Sequence, residues 1–163
     1  MRIVVAAVGR ARAHEPEQAL CESYLDRAAA LGGKLGFSKI ELAVVDVSRQ
    51  ASVQARVLEE AEKLSGRLPS PAHRIVLDEG GRQLSSEAFA AHLAKLRDRG
   101  TRDVGFLIGG PDGLAPALRD SAEERLALGT QTWPHLLVRA MLAEQIYRAF
   151  AILSGHPYHR GRL

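Results

Sequence analysis

The stretch Arg2–Val8, RIVVAAV, decides the fold. After the arginine it is apolar at every position and rich in β-branched side chains, with Gly9 directly behind it. Such a run has no wet face, and strands buried on both faces belong to parallel sheets covered by helices. The chain around it alternates accordingly. PEQALCESYLDRAAALG (16–32) is a helix opened by Pro16 and closed by Gly32. KIELAVVDV (39–47) is again a strand, after which Asp46 or Ser48 caps the helix VQARVLEEAEKLSGRL (53–68), stopped by Gly66 and Pro69.

The second half repeats the pattern. HRIVLDEGG (73–81) is a third strand running into a turn, and SSEAFAAHLAKLRDRG (85–100) is a helix with a serine cap and an acidic first turn. DVGFLIGGPDGL (103–114) is a fourth strand ending in a glycine-rich loop, followed by a short helix near 116–124 and a fifth apolar piece, RLALG (125–129). PHLLVRAMLAEQIYRAFAILSG (134–155) is one long helix with proline at its start and glycine at its end. Parallel neighbours need crossover connections, so this order predicts an α/β fold with helices on both faces of a mostly parallel sheet.

Size and composition agree. The 163 residues suit one domain, 1–163, and no repeat or linker divides them. An apolar share of 46% with 25% charged residues is that of a globular chain. The net charge of +3 permits a phosphate-rich partner without demanding one. Cys21 is the only cysteine, which excludes an internal disulfide framework and favours a reducing, cytoplasmic address. The opening residues read as a strand and not as a signal peptide. The apolar run in the last helix carries Arg139, Glu144, Gln145 and Arg148, which are costly in lipid, so no membrane span is expected.

Ligands of open α/β sheets bind beyond the carboxyl ends of the strands. That selects three loops: DEGG after the third strand, GGPDGL after the fourth and GTQTWPH after the fifth. GGPDGL lacks the lysine and hydroxyl residue of a phosphate loop, and its glycine spacing is not that of a dinucleotide fold. It is either plain turn chemistry or a loop kept free of side chains so that backbone can approach a flat ligand. Trp133 is by residue type more at home in a core or interface.

The last helix is apolar on nearly every side and must be covered on more than one face, so a subunit interface is inferred, the alternative being burial deep within the layers. Glu144 and Arg148 are spaced as an ion pair, while Arg139 suits either a carboxylate or a phosphate. No metal is expected, since His156 and His159 flank a proline and no carboxylate sits beside them. No G-x-S-x-G elbow supports a serine hydrolase. The chain ends in GHPYHRGRL (155–163), a cluster of aromatic, titratable and cationic groups.

LDEGGRQLSSEAFA, FLIGGPDGL and WPHLLVRAMLAEQIYRAFAILSGHPYHR, in this order and spacing, resemble the ribosomal large-subunit methyltransferase H family of the SPOUT class. The resemblance spans essentially the whole chain and is most specific in IGGPDG and in EQIYRA followed by GHPYHR. It implies a parallel-sheet fold whose C-terminal part is threaded as a trefoil knot. It implies a homodimer, a cofactor, S-adenosyl-L-methionine, and transfer of a methyl group to N3 of a pseudouridine in helix 69 of 23S rRNA within the ribosome. Carried over by motif, the cofactor pocket comprises Leu77, Gly109, Gly110 and the stretch Leu128, Gly129, Thr130, Gln131, Thr132 and Trp133. This chain has LGTQTWPH where the family often has a serine-containing LSxMTxPH-like segment, so Gly129 and Gln131 are departures that leave backbone contacts intact.

The resemblance places the terminal segment at the site. An imide N3–H must lose its proton before it can attack, so a base or nearby cations are needed. His159 is the expected base, Arg160 a cation for a developing carbonyl charge, and Tyr158 a stacking or hydrogen-bonding partner of a flipped base. Arg139, Arg148, Arg160 and Arg162 are the expected RNA contacts. The rival readings are a non-catalytic ribosome assembly factor, an enzyme acting on tRNA or unmodified uridine, and a nucleotide-binding switch, the last disfavoured by the missing phosphate-loop lysine.

Overall fold

The computed structural model describes residues 1–10 and 15–159. Five strands, β1 (Arg2–Val8), β2 (Lys39–Val45), β3 (His73–Gln83), β4 (Asp103–Ile108) and β5 (Glu124–Ala127), form one sheet in the order β2-β1-β4-β3-β5. Every pairing is parallel. The connections run through α1 (Pro16–Gly32), α2 (Val53–Ser65), α3 (Ser86–Asp98) and α4 (Pro116–Ser121), and α5 (His135–Ser154) closes the fold. Among the described residues no helix is long and apolar enough to cross a membrane.

β1 and β4 are the strands apolar along almost their whole length on both sides, and they pair within the interior of the sheet. Ile3, Val5 and Ala7 of β1, with Phe106 and Ile108 of β4, face a core completed by Leu93 of α3 and Leu142, Ile146 and Phe150 of α5. Ala6 and Val8, with Leu107 of β4, face the opposite core with Val57 and Leu64 of α2 and Leu118 of α4. The side-chain alternation of a strand thus feeds two helical layers at once. Arg2 closes one end of the pair by donating to Asp103 at 2.6 Å.

One local expectation is corrected. The cap of α2 is Ser52, whose hydroxyl accepts from Ala55 N–H at 3.1 Å, and not Asp46 or Ser48. Ser48 is buried, its N–H donating to Glu60 Oε1 at 2.8 Å and its hydroxyl bonded to Glu59. The apolar helix α5 is covered chiefly within its own chain, by the sheet and α3 on one side and by α1 on the other, through Cys21 and Leu25 against Ala140 and Ala143. A half-exposed stripe remains at Leu137, Met141, Glu144, Gln145 and Arg148.

β5 is held in an unusual way. Leu126 pairs with both Leu77 and Arg82 of β3. A strand position has two edges, so residues 78–81 cross over β5 and return on its other side. Gly81 makes the crossing possible, since a Cβ there would lie 2.7 Å from the backbone of Leu126.

Two outcomes follow from this packing. Phe150 is fully buried with its ring 4.2 Å from that of Phe37, so Phe150→Ala should lower the unfolding free energy by about 3–5 kcal/mol in urea titrations. Cys21 is buried, and burial pushes its thiol up to about 11, with Arg139 opposing. The native protein should therefore resist aromatic disulfide reagents at pH 8, while the urea-denatured chain reacts at once.

Candidate active site

An all-parallel sheet delivers the carboxyl ends of its strands to one edge, and there the chain forms a cleft of about 700 Å3. Leu77 from β3, Gly109 and Gly110 after β4, and Leu128, Gly129, Gln131, Thr132 and Trp133 after β5 all line it. Thr130 is exposed and does not. Three loops far apart in sequence are thereby brought together as topology required.

The glycine loop is built for close approach. A Cβ on Gly109 would lie 2.6 Å from Gly113 O, and one on Gly110 would lie 2.8 Å from Val8. Arg56 of α2 fixes the loop from outside by donating to Asp112 at 2.7 Å, and this bond holds the Asp112 carboxyl below its ordinary range. On the opposite wall Trp133 donates its indole N–H to Leu128 O at 3.1 Å, which sets the ring as a plate at the mouth, 38% exposed. Thr132 donates to Glu79 Oε2 at 2.9 Å and so latches the loop after β5 to the loop after β3.

Several lining groups were not singled out in the sequence. Asp78 pairs with Arg119 at 3.4 Å on the floor of the cleft. His135, the first residue of α5, also lines it, and burial, with Arg139 adding to the effect, pushes its imidazole below the usual range, so it is neutral at pH 7. Asp78 and His135 fall inside the chosen loops DEGG and GTQTWPH, whereas Arg119 comes from α4, outside all three, and only the fold brings it there.

Arg139 requires a correction. It was expected to meet RNA phosphate, but it is 1% exposed and donates to the backbone carbonyls of Val8 and Gly9. It braces the end of β1 from inside and has no path to a surface ligand. Arg148 is likewise engaged, with a fork on Glu144 Oε1 at 2.9 and 2.5 Å and its guanidinium 4.9 Å above the Tyr158 ring.

The described part of the terminal segment, through His159, does not line the cleft of its own chain. Tyr158 donates to Glu144 Oε1 at 3.0 Å and packs against Tyr147 with ring centroids 4.5 Å apart, tilted by 51°. Burial, then hydrogen bonds with Tyr24 and Glu144, push its hydroxyl far above the usual range, so it is a donor and not a base at neutral pH. His159 sits 3.0 Å from Glu87 Oε1 through Nε2, with Nδ1 3.5 Å from Arg148. Glu87 is held below the usual carboxylate range by its own backbone N–H and the Ser85 hydroxyl, with His159 adding to the effect. His135 is in the cleft, and Glu144 and Arg148 lie about 14 and 20 Å further along α5 at 1.5 Å per residue. Arg160 and Arg162 lie outside the described residues.

The family described as "Predicted SPOUT methyltransferase" matches residues 1–159. The chain is 51% identical over 160 residues to "Ribosomal RNA large subunit methyltransferase H" of Paracoccus denitrificans (strain Pd 1222), covering 98% of this chain and 99% of the relative. It is 47% identical over 161 residues to the protein of the same name from Nitrobacter winogradskyi, covering 99% and 100%. Among solved structures, a probable methylase family protein from Haemophilus influenzae Rd KW20 is similar over 99% of this chain and 71% of that one, with 11% identity and a TM-score of 0.47. Agreement at this level from the first strand to the terminal segment makes the chain a member of the SPOUT methyltransferase family, in its ribosomal RNA large subunit methyltransferase H branch.

Proposed function

We propose that the chain, as one domain, transfers a methyl group from S-adenosyl-L-methionine to N3 of a pseudouridine in helix 69 of 23S rRNA, acting as a homodimer on assembled ribosomes in the cytoplasm. The observation that carries this reading is the end-to-end identity of about half with relatives named for methylation of large-subunit ribosomal RNA.

The cleft suits the cofactor. Its walls are Leu77, Leu128 and Trp133, and the glycine loop lines it at Gly109, Gly110 and Gly113, which carry no side chain to occupy it. Adenine needs such a flat slot with backbone donors and acceptors, which the stretches 109–110 and 128–133 offer. When bound, the cofactor supplies an electrophilic methyl on a sulfonium. The protein's own part is alignment and exclusion of water, because in-line transfer that extinguishes a positive charge depends chiefly on pose. The neutral His135 and the Asp78–Arg119 pair add no net charge to repel the sulfonium.

The proton on N3 is the task of the terminal segment. His159, polarised by Glu87, is the base in this reading, and Tyr158, held protonated, donates to or stacks on the extruded nucleobase. Arg160 and Arg162 meet carbonyl or phosphate oxygens. Since Tyr158 and His159 are tied to α5 well away from the cleft of their own chain, the two halves of the site meet across a dimer. The apolar groove lined by Leu20, Tyr24, Leu137 and Met141, about 660 Å3, is the surface that fits a second copy. The implied knot fits the crossing of residues 78–81 over β5.

Incubation with labelled S-adenosyl-L-methionine and ribosomes from a strain lacking this protein should place one methyl on N3 of the helix 69 pseudouridine. A label mapped to tRNA or to another rRNA position would replace the substrate. His159→Ala should slow transfer by about 10²–10⁴-fold across a pH series while cofactor affinity, measured by calorimetry, stays within about twofold. Full activity in that variant removes His159 as base.

A further inference from the structure

At the amino ends of the strands, opposite the cleft, three side chains from separate elements converge. His73 is the first residue of β3, Glu124 the first of β5, and His92 lies in α3. One ligand-capable atom from each lies within 4.8 Å of the others. His73 Nε2 stands 2.6 Å from Glu124 Oε1, and His92 Nε2 stands 2.9 Å from Oε2. The side chains are 22%, 18% and 27% exposed, so the cluster is half-sheltered with one open side.

We propose that His73, His92 and Glu124 form a binding site for a divalent transition-metal ion, zinc foremost, that clamps the start of β5 to β3 and α3. Two imidazoles and a carboxylate are a donor set that suits zinc, cobalt or nickel and disfavours magnesium and calcium, which take oxygen ligands. Tetrahedral bonds of 2.0–2.1 Å place ligand atoms about 3.3 Å apart, so the two imidazole–carboxylate contacts, now 2.6 and 2.9 Å, must open by under about 1 Å to admit the ion.

A plain hydrogen-bonded ion cluster explains the cluster less well. His92 Nε2 has no solvent access and no hydrogen-bond partner of acceptable angle, although a carboxylate oxygen lies 2.9 Å away. The ring nitrogen is therefore aimed beside the oxygen. His73 Nε2 hydrogen-bonds Glu124 Oε1 at 2.6 Å, whereas His92 Nε2 is left over, a buried ring nitrogen beside the same carboxylate with no bond to it, and an ion between the three groups would satisfy it. The open side leaves a fourth position for water and an entry path. The site stands at the other end of the sheet from the glycine loop, so its role is to hold the edge strand and not to take part in methyl transfer. The ligands are scattered over the sequence at 73, 92 and 124, beyond the reach of any spacing motif.

The test uses the full-length, tag-free protein freed of metal with a chelator. Titration with cobalt(II) should give one saturable equivalent with a visible d–d absorption of four- or five-coordinate metal. Zinc at a hundredfold excess over its dissociation constant should raise Tm by roughly 5 °C. Both responses should vanish in His92→Gln and in the isosteric Glu124→Gln, each first shown to be folded by far-UV circular dichroism, and persist in a His156→Asn, His159→Asn double variant. If the wild type shows no saturable equivalent, the site does not exist. If binding survives Glu124→Gln and is lost with the terminal histidines, the proposal is overturned.

Discussion

The constraint on which the rest depends is the parallel pairing of β1 with β4 in the middle of the sheet. Register from Arg2 opposite Asp103 to Ala7 opposite Ile108 buries both strands on both faces. Parallel neighbours cannot be joined by hairpins, so every connection becomes a helix or long loop, and every strand presents its carboxyl end at the same edge. The cleft follows from that geometry before any particular side chain is considered. The glycine loop after β4 sits at its centre because β4 does.

Arg139 shows how tightly the cleft is coupled to the core. Its guanidinium reaches from α5 to the carbonyls of Val8 and Gly9, while His135, one turn earlier, lines the cleft and lies under Gly9, where a Cβ would be 3.0 Å from its Nε2. Burying a guanidinium demands such acceptors, and the carbonyls at the end of β1 supply them. One helix thus fixes the end of the central strand and furnishes a wall of the candidate site.

Much of this was legible in the sequence. Continuous apolar runs gave the strands, and proline and glycine gave the helix ends, because these signals are local. The three cleft loops followed from topology, and Leu77, Gly109 and Trp133 fell where that rule put them. What escaped depended on distance in sequence. Asp46, Ser48 and Ser52 are all residues that cap helices, and only the path of the chain chose Ser52. Arg139 looked like a surface cation because a charged residue in an apolar helix has no sequence mark that tells an inward from an outward side chain. The crossing over Leu126 depends on two partners of a single residue, which no pattern of hydropathy records.

That crossing has a consequence for how the fold comes apart. An edge strand ordinarily peels away sideways, exposing unpaired N–H and C=O groups that recruit other chains. β5 has β3 residues on both flanks and cannot leave in that direction. It must slide out lengthwise or wait until residues 78–83 let go, so breathing at the sheet edge is coupled to loss of β3. The loop that carries Leu128 to Trp133 hangs from this strand. Its anchorage is set by the topology of the backbone, and Gly81 is a position where a side chain would obstruct it.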